Sequence, residues 1–357
     1  MLNFTVGPVQ SSEIVRRIGS EHIPYFRTSE FSDVMLENER LMLEFADAEE
    51  NGRTVFLTGS GTASMEAAVM NTLTTSDRVL VVNGGSFGQR FVELLTIHEI
   101  TFTEIRLEFG EALTKQCLER YDGSAYTAFV INVGETSSGV LYDMDVISAY
   151  CREHHLFLIA DTISAFLADA FSMKRYAVDV MITGSQKALA CPPGVSVLVL
   201  SPRALDRIKR TNQRIMYLDL KSALRNQERG QTPFTPAVGV LLQINARLRE
   251  IRDNGGATYE INRTAMLAKY FRDQIKDLPF KYVAQNMSNA VTSLHPTTVS
   301  AYDLFIELKE HYSIWVCPNG GQYKDSVFRV GHLGELRTED YDTLIHAFHE
   351  LKDRGFF

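Results

Sequence analysis

The residue around which this chain can be read chemically is Lys187. An apolar run, residues 178–182, ends in Thr183-Gly184-Ser185-Gln186, and the lysine follows at once. A short Ala/Leu segment, then Pro192-Pro193-Gly194, leads into a second apolar run, Val195–Leu200. That places Lys187 in a tight connection between two buried strands. A lysine there has little room to carry its ammonium to water, and burial favours the neutral, nucleophilic amine near neutral pH. Such an amine suits Schiff-base chemistry. A surface lysine on a strand connector is the other reading of this stretch.

Other residues with chemical potential stand at the ends of apolar runs. Asp161 closes residues 156–160. A carboxylate at the end of a buried strand is costly without a partner; a protonated pyridine nitrogen would serve as one, and so would a helix N-terminus. Asp161 precedes Lys187 by 26 residues with one strand between, which brings both to the same edge of a sheet. Ser60-Gly61-Thr62 lies between a strand and a helix, where backbone N–H groups favour an anion such as phosphate, or where a glycine turn simply caps the helix. Phe87, within Asn83-Gly84-Gly85-Ser86-Phe87-Gly88, could lie flat on a planar ligand or pack under a loop. Gly134-Glu135-Thr136-Ser137-Ser138-Gly139 offers hydroxyls. Arg329, within Phe328-Arg329-Val330-Gly331, suits a bidentate grip on a carboxylate, or sits on a strand surface.

The elements that position these residues alternate. Short β-rich runs at 54–58, 78–83, 101–107, 127–132 and 156–160, with the two around Lys187, make seven strands. Helices are expected at 34–47, 62–73, 87–98, 110–121 and 145–154. Strands apolar throughout imply a sheet covered on both faces, hence a mainly parallel seven-stranded α/β layer, with one of the last two strands antiparallel. Ligands of such sheets bind at the carboxyl ends of the strands, where the residues above cluster. Residues 1–15 read as an irregular N-terminal arm and 16–237 as the large domain. Residues 238–357 read as a smaller α+β domain that starts with long helices at 238–254 and 259–276.

Bulk properties narrow the class. Hydrophobic content of 45% and charged content of 22% over 357 residues describe a globular chain with a large core. The net charge of −8, without a basic block, argues against a nucleic-acid partner. Cys117, Cys151, Cys191 and Cys317 are widely spaced, with no CxxC pair, and read as free thiols. No metal site is indicated. The N-terminus lacks a signal-peptide pattern, and no apolar run approaches the ~20 residues of a membrane span. A cytoplasmic protein without membrane association is expected.

Taken together, in order and spacing, these blocks resemble the fold-type I pyridoxal-phosphate enzymes. More closely, they resemble the class V aminotransferases of the alanine–glyoxylate, serine–pyruvate and 2-aminoethylphosphonate–pyruvate group. The resemblance starts at Gly7-Pro8 and Arg27-Thr28-Ser29-Glu30-Phe31. It runs through Gly59-Ser60-Gly61-Thr62, the 83–90 block, Gly134-Glu135-Thr136-Ser137-Ser138-Gly139-Val140 and Asp161-Thr162-Ile163-Ser164. It ends with Gly184-Ser185-Gln186-Lys187-Ala188-Leu189 and Phe328-Arg329-Val330-Gly331.

The resemblance implies roles. Lys187 holds pyridoxal 5'-phosphate as a Schiff base and acts as general base. Asp161 pairs with the ring nitrogen. Phe87 and Ile163 cover the two ring faces, and Thr136 approaches the ring hydroxyl. Ser60, Gly61, Thr62 and Gln186 hold the phosphate, joined by Thr235 across a homodimer interface. Arg329, with Gly7, binds the substrate carboxylate. The implied reaction moves an amino group from a small amino donor to a 2-oxo acid such as pyruvate or glyoxylate, in a ping-pong cycle. The chain departs from the pattern where Phe87 replaces a tryptophan common in relatives. A lyase of the cysteine desulfurase type shares the fold but usually carries histidine before the lysine, where this chain has Gln186. A non-catalytic protein keeping the fold would be expected to lose Lys187, Asp161 or Arg329, and all three are present.

Overall fold

Valine, isoleucine and leucine on both faces of successive strands leave no face for water, and the strands stack into a covered sheet. A computed structural model describes residues 1–212 and 215–357. In chain order its strands begin with β1 (Leu2–Phe4), β2 (Arg53–Thr58), β3 (Arg78–Asn83), β4 (Thr101–Arg106) and β5 (Ala128–Asn132). A short hairpin follows, β6 (Gly134–Glu135) with β7 (Val140–Leu141), then β8 (Phe157–Asp161), β9 (Val180–Gly184) and β10 (Val195–Leu200). The last four are β11 (Phe280–Tyr282), β12 (Val291–Pro296), β13 (Ile314–Pro318) and β14 (Phe328–Gly331).

The seven-stranded sheet has the order β2-β10-β9-β8-β5-β3-β4. β10 runs antiparallel to both neighbours, as the short Lys187 connection requires, and the remaining pairs are parallel. Strands β5, β8, β9 and β10 are buried at every residue. Alternate side chains feed two cores: Leu158 and Ala160 of β8 enter one, Phe157 and Ile159 the other. In register, Asn132 stands beside Asp161, and Asp161 beside Ile182. The carboxyl ends of β5, β8 and β9 therefore converge.

Four helices precede or follow the first strands: α1 (Glu13–Gly19), α2 (Ser29–Phe45), α3 (Gly61–Thr72) and α4 (Ser86–Ile97). The helix expected at 110–121 is reduced to Lys115–Leu118. Gly110 takes φ +92°, and its carbonyl accepts from Gln285 N while Ala112 N donates to Gln285 Oε1. Those bonds occupy backbone groups that a helix would need.

The second sheet has the order β1-β13-β14-β12-β11. Residues 2–4, expected as irregular chain, form β1, parallel to β13. Phe4 is the cause: it is fully buried in the core of that sheet, 5.1 Å from the ring of Tyr341. The chain then leads from β1 directly into Val6 and Gly7. The helix Val238–Asp253 packs Val238, Leu241, Ile244, Leu248 and Ile251 into the core of the first sheet. Among the described residues, no helix is long and apolar enough to cross a membrane.

Candidate active site

Lys187 follows β9 and β10 closes over it. Ser185 N bonds Val195 O, and Ala190 N bonds Lys187 O, which fold residues 185–190 into a tight turn. The lysine is 7% exposed and its Nζ donates to the carbonyl of Val6. Burial pushes its amine down to about 8, with Arg329 acting in the same direction and Cys317 and Asp161 opposing. Gly7 explains how the N-terminal segment comes so near. It takes φ +123°, and a Cβ there would stand 2.8 Å from Lys187 Cδ and 2.9 Å from Gln186 O. A side chain at residue 7 would push the segment off the lysine.

Asp161 ends β8 and is 3% exposed. Its Oδ1 accepts one bond, from Ile163 N at 2.8 Å. Burial pushes its carboxyl up to about 7; that bond opposes the shift, and the nearby Glu135 charge adds to it. Ile163 leans on the start of α3: a Cβ on Gly61 would lie 2.3 Å from Ile163 Cδ1. The glycine lets the helix N-terminus meet the turn after Asp161.

Ser60 is the N-cap of α3, yet its side chain makes no capping bond, and the first turn of α3 holds no acidic residue. The helix thus presents free N–H groups. Thr62 Oγ1 accepts from Arg90 Nη1 at 3.1 Å, and Arg90 Cζ lies 5.1 Å from the centre of the Phe87 ring. Phe87 opens α4. Its N–H and that of Gly88 donate to Glu135 Oε2 at 3.2 and 3.1 Å. Asn132 Nδ2 donates to the same oxygen at 2.9 Å, while Ser137 gives both its N–H and its hydroxyl to Oε1. Glu135, fully buried, is therefore a carboxylate cap for α4.

Arg329 reaches across from β14. Nη1 donates to Thr136 O at 3.1 Å and Nη2 to Pro318 O at 2.9 Å. Its Nε is buried without a partner. Asn319 Nδ2 donates to Ser137 O at 3.0 Å, a second tie between the sheets. Between them opens a cleft of about 810 Å³, lined by Phe87, Ser137, Arg329, Asn319, Phe109 and Tyr323 among others. Phe109 and Tyr323 stack across its mouth at 3.8 Å, 16° from parallel. Cys317, read from sequence as a free thiol, stands opposite Arg329 in the β13–β14 register.

The structure thus gathers Lys187, Gly7, Gln186, Asp161, Ile163, Gly61, Thr62, Phe87, Thr136 and Arg329 at one edge of the sheet, with Ser60 at the rim. Thr235 is not among them. It is exposed and lines a separate groove of about 760 Å³ with Ile23, Tyr25 and Phe26. Arg27 pins that segment, donating to Gln231 Oε1 at 3.0 Å and Thr232 O at 2.8 Å. Glu135, Arg90, Asn319 and the Val6 carbonyl have no assigned role in the sequence reading. Glu135 carried a usable signal, a carboxylate just past an apolar strand, the same that marks Asp161. For the other three, partner and burial are set by distant parts of the chain. Among the described residues there is no cluster of three or more His, Cys, Asp or Glu that could hold a metal ion.

The family model described as aminotransferase class-V matches residues 24–322. An uncharacterized aminotransferase of Helicobacter pylori (strain ATCC 700392 / 26695) is 30% identical over 340 residues, covering 94% of this chain and 89% of its own. The L-aspartate–glyoxylate aminotransferase of Paracoccus denitrificans is 26% identical, covering 93% and 86%. The crystal structure of a subgroup IV aspartate aminotransferase from Thermus thermophilus superposes with a TM-score of 0.92 at 26% identity, covering 99% of each chain.

Proposed function

This chain belongs to the class-V aminotransferases, enzymes that use pyridoxal 5'-phosphate, and on that premise we propose that it transfers the amino group of a small amino-acid-like donor to a 2-oxo acid, pyruvate or glyoxylate, at the site around Lys187. One observation carries the reading. Lys187 is the only buried lysine among the described residues, and it sits at the strand ends with its amine held near 8. The names of relatives, aspartate–, serine– and alanine–glyoxylate aminotransferases, support glyoxylate as an acceptor.

The residues fit the cofactor. An uncapped helix N-terminus suits a phosphate, a buried carboxyl with a single donor suits a ring nitrogen, and the orphaned Nε of Arg329 suits a substrate carboxylate. Ser60, Gly61, Thr62 and Gln186 would hold the phosphate, Asp161 the ring nitrogen, Phe87 and Ile163 the ring faces, and Thr136 the ring hydroxyl. When bound, pyridoxal phosphate supplies the aldehyde that exchanges amines and a ring that takes up carbanion charge.

The chain's own groups do the rest. Arg329 orients the donor by its carboxylate, with Gly7 leaving room beside the lysine. Lys187 Nζ, as the neutral amine, would take the proton from the donor Cα and carry it past the nitrogen to the carbon of the former aldehyde. Buried Asp161, its carboxyl raised to about 7, ionises fully when a cation faces it. The stacked Phe109 and Tyr323 limit water at the cleft mouth. Water supplies the oxygen with which the donor's carbon skeleton leaves as a keto acid, its amino group staying behind, and a second keto acid takes up that amino group through the same proton transfers in reverse.

A homodimer is supported by the exposed groove at Thr235, flanked by Ile23 and Tyr25 at 68% and 69% exposure; a second copy seated there would bring Thr235 to its neighbour's phosphate. A cytoplasmic location is supported by four free cysteines. A division into a cofactor-binding part, residues 16–237, and a smaller part, 238–357, is supported by the two separate sheets. The deciding experiment mixes the aldehyde-loaded protein with single donors: alanine, serine, aspartate or 2-aminoethylphosphonate. Loss of the aldehyde absorbance with at least one is expected; no change with any of them, or with wider donor panels, sinks the reading.

A further inference from the structure

The start of α3 is electrostatically one-sided. Ala63 N bonds Ser60 O, the N–H groups of Gly61 and Thr62 have no acceptor among the described residues, Ser60 offers no side-chain cap, and the first turn carries no acid. Arg90 of α4 brings a guanidinium to the same place, 3.1 Å from Thr62 Oγ1. Among the described residues no carboxylate lies within ion-pairing distance of Arg90. Its other contact is the face of the Phe87 ring, at 5.1 Å. A cation beside the positive end of a helix is repulsive unless an anion joins them. The hydroxyl of Thr62 adds a direction. A threonine hydroxyl has one proton to give, and Arg90 occupies an acceptor site on its oxygen, so the O–H is free to point at that anion.

We propose that Arg90 is a positioning residue for the cofactor phosphate, holding Thr62 with its O–H turned into the cradle and supplying the positive charge that the cradle itself lacks. The inference rests on the pyridoxal-phosphate reading of the site. It also gives the 83–90 block a second role: the same guanidinium braces Phe87 from one side while it serves the phosphate through Thr62. Ring and phosphate ends of the site are thereby coupled through one side chain.

The test separates the phosphate from the ring. Apoprotein, wild type or Arg90→Gln, is titrated with pyridoxal phosphate and with pyridoxal, which lacks the phosphate, following the Lys187-bound absorbance. Arg90→Gln is expected to weaken pyridoxal phosphate by about tenfold or more, the scale of one charge-assisted hydrogen bond, and to weaken pyridoxal, which feels only the lost brace on Phe87, far less. Inorganic phosphate is expected to raise the melting temperature of wild-type apoprotein and not of the variant. Arg90→Lys, which keeps charge but loses the planar fork, is expected to fall between the two. Equal weakening of both aldehydes, no weakening of either, or an undiminished response of Arg90→Gln to phosphate overturns the inference. A wild-type chain that binds neither aldehyde overturns the cofactor reading beneath it.

Discussion

Two adjacent strand ends carry buried carboxylates of opposite character. Glu135 follows β5 and Asp161 ends β8; the strands pair directly, with Asn132 beside Asp161. Both side chains are shut from water. Glu135 accepts from Phe87 N, Gly88 N, Asn132 Nδ2, and the N–H and hydroxyl of Ser137. Asp161 accepts from Ile163 N alone among the described residues. Equal burial therefore has unequal consequences. A saturated carboxylate is a fixed part of the frame that holds Phe87 and Thr136 in place. An unsaturated one waits for a ligand, and its raised carboxyl records that shortage.

The comparison can be broken most forcefully through the buried lysine whose charge acts on Asp161. Lys187→Ala is expected to lower turnover by more than about 10³-fold, since it removes both the nucleophile and the base, while the chain stays folded. Steady-state rates with far-ultraviolet circular dichroism check both halves. Next in size is the contrast itself. Glu135→Ala leaves several buried donors without an acceptor and is expected to cost about 3 kcal/mol or more of unfolding free energy in urea. Asp161→Ala strands only one donor and removes a costly buried carboxyl, so it should cost far less. Equal losses in the two variants would end the distinction.

The pH dependence of stability sharpens it further. In the cofactor-free chain Asp161 keeps its proton up to about 7 when folded, against 3.8 ordinarily. Between those values the folded form binds a proton that the unfolded form has released. Its contribution to stability is full below pH 4 and is lost as pH rises toward 7. Asp161→Asn is expected to flatten that fall in melting temperature; Glu135→Gln, which removes one of the charges that raise the Asp161 carboxyl, should reduce the fall without abolishing it. The smallest effect lies at the cleft mouth, away from either carboxylate. Phe109→Ala breaks one stacked pair, worth about 1 kcal/mol, and is expected to raise KM a few-fold with little change in kcat.

Much of this was legible in the chain. Asp161 and Lys187 each interrupt an apolar pattern at a strand end, and a charged group in that position marks itself by the cost of burying it. The antiparallel β10 followed from the shortness of the Lys187 connection. Local periodicity was also sufficient for α4 and the helix Val238–Asp253, within one residue at each end, while α2 begins five residues before the expected start, at its Thr28 cap. The pattern failed at 110–121, where bonds to Gln285, more than 170 positions away, displaced the helix.

What sequence by itself determined was the set of strands, their burial on both faces and the polar residues at their ends, because those depend on spacing along the chain. Tertiary structure alone decided which of them meet. Phe4 is apolar in any reading, but only the β1–β13 pairing makes it an anchor that lays Val6 and Gly7 on Lys187. Glu135 and Asp161 are both carboxylates after apolar runs, and only the folded backbone counts their donors. Hydrogen-bond partners and solvent exclusion are set by residues far apart in sequence, so the difference between a frame carboxylate and a ligand carboxylate exists only once the strands are side by side.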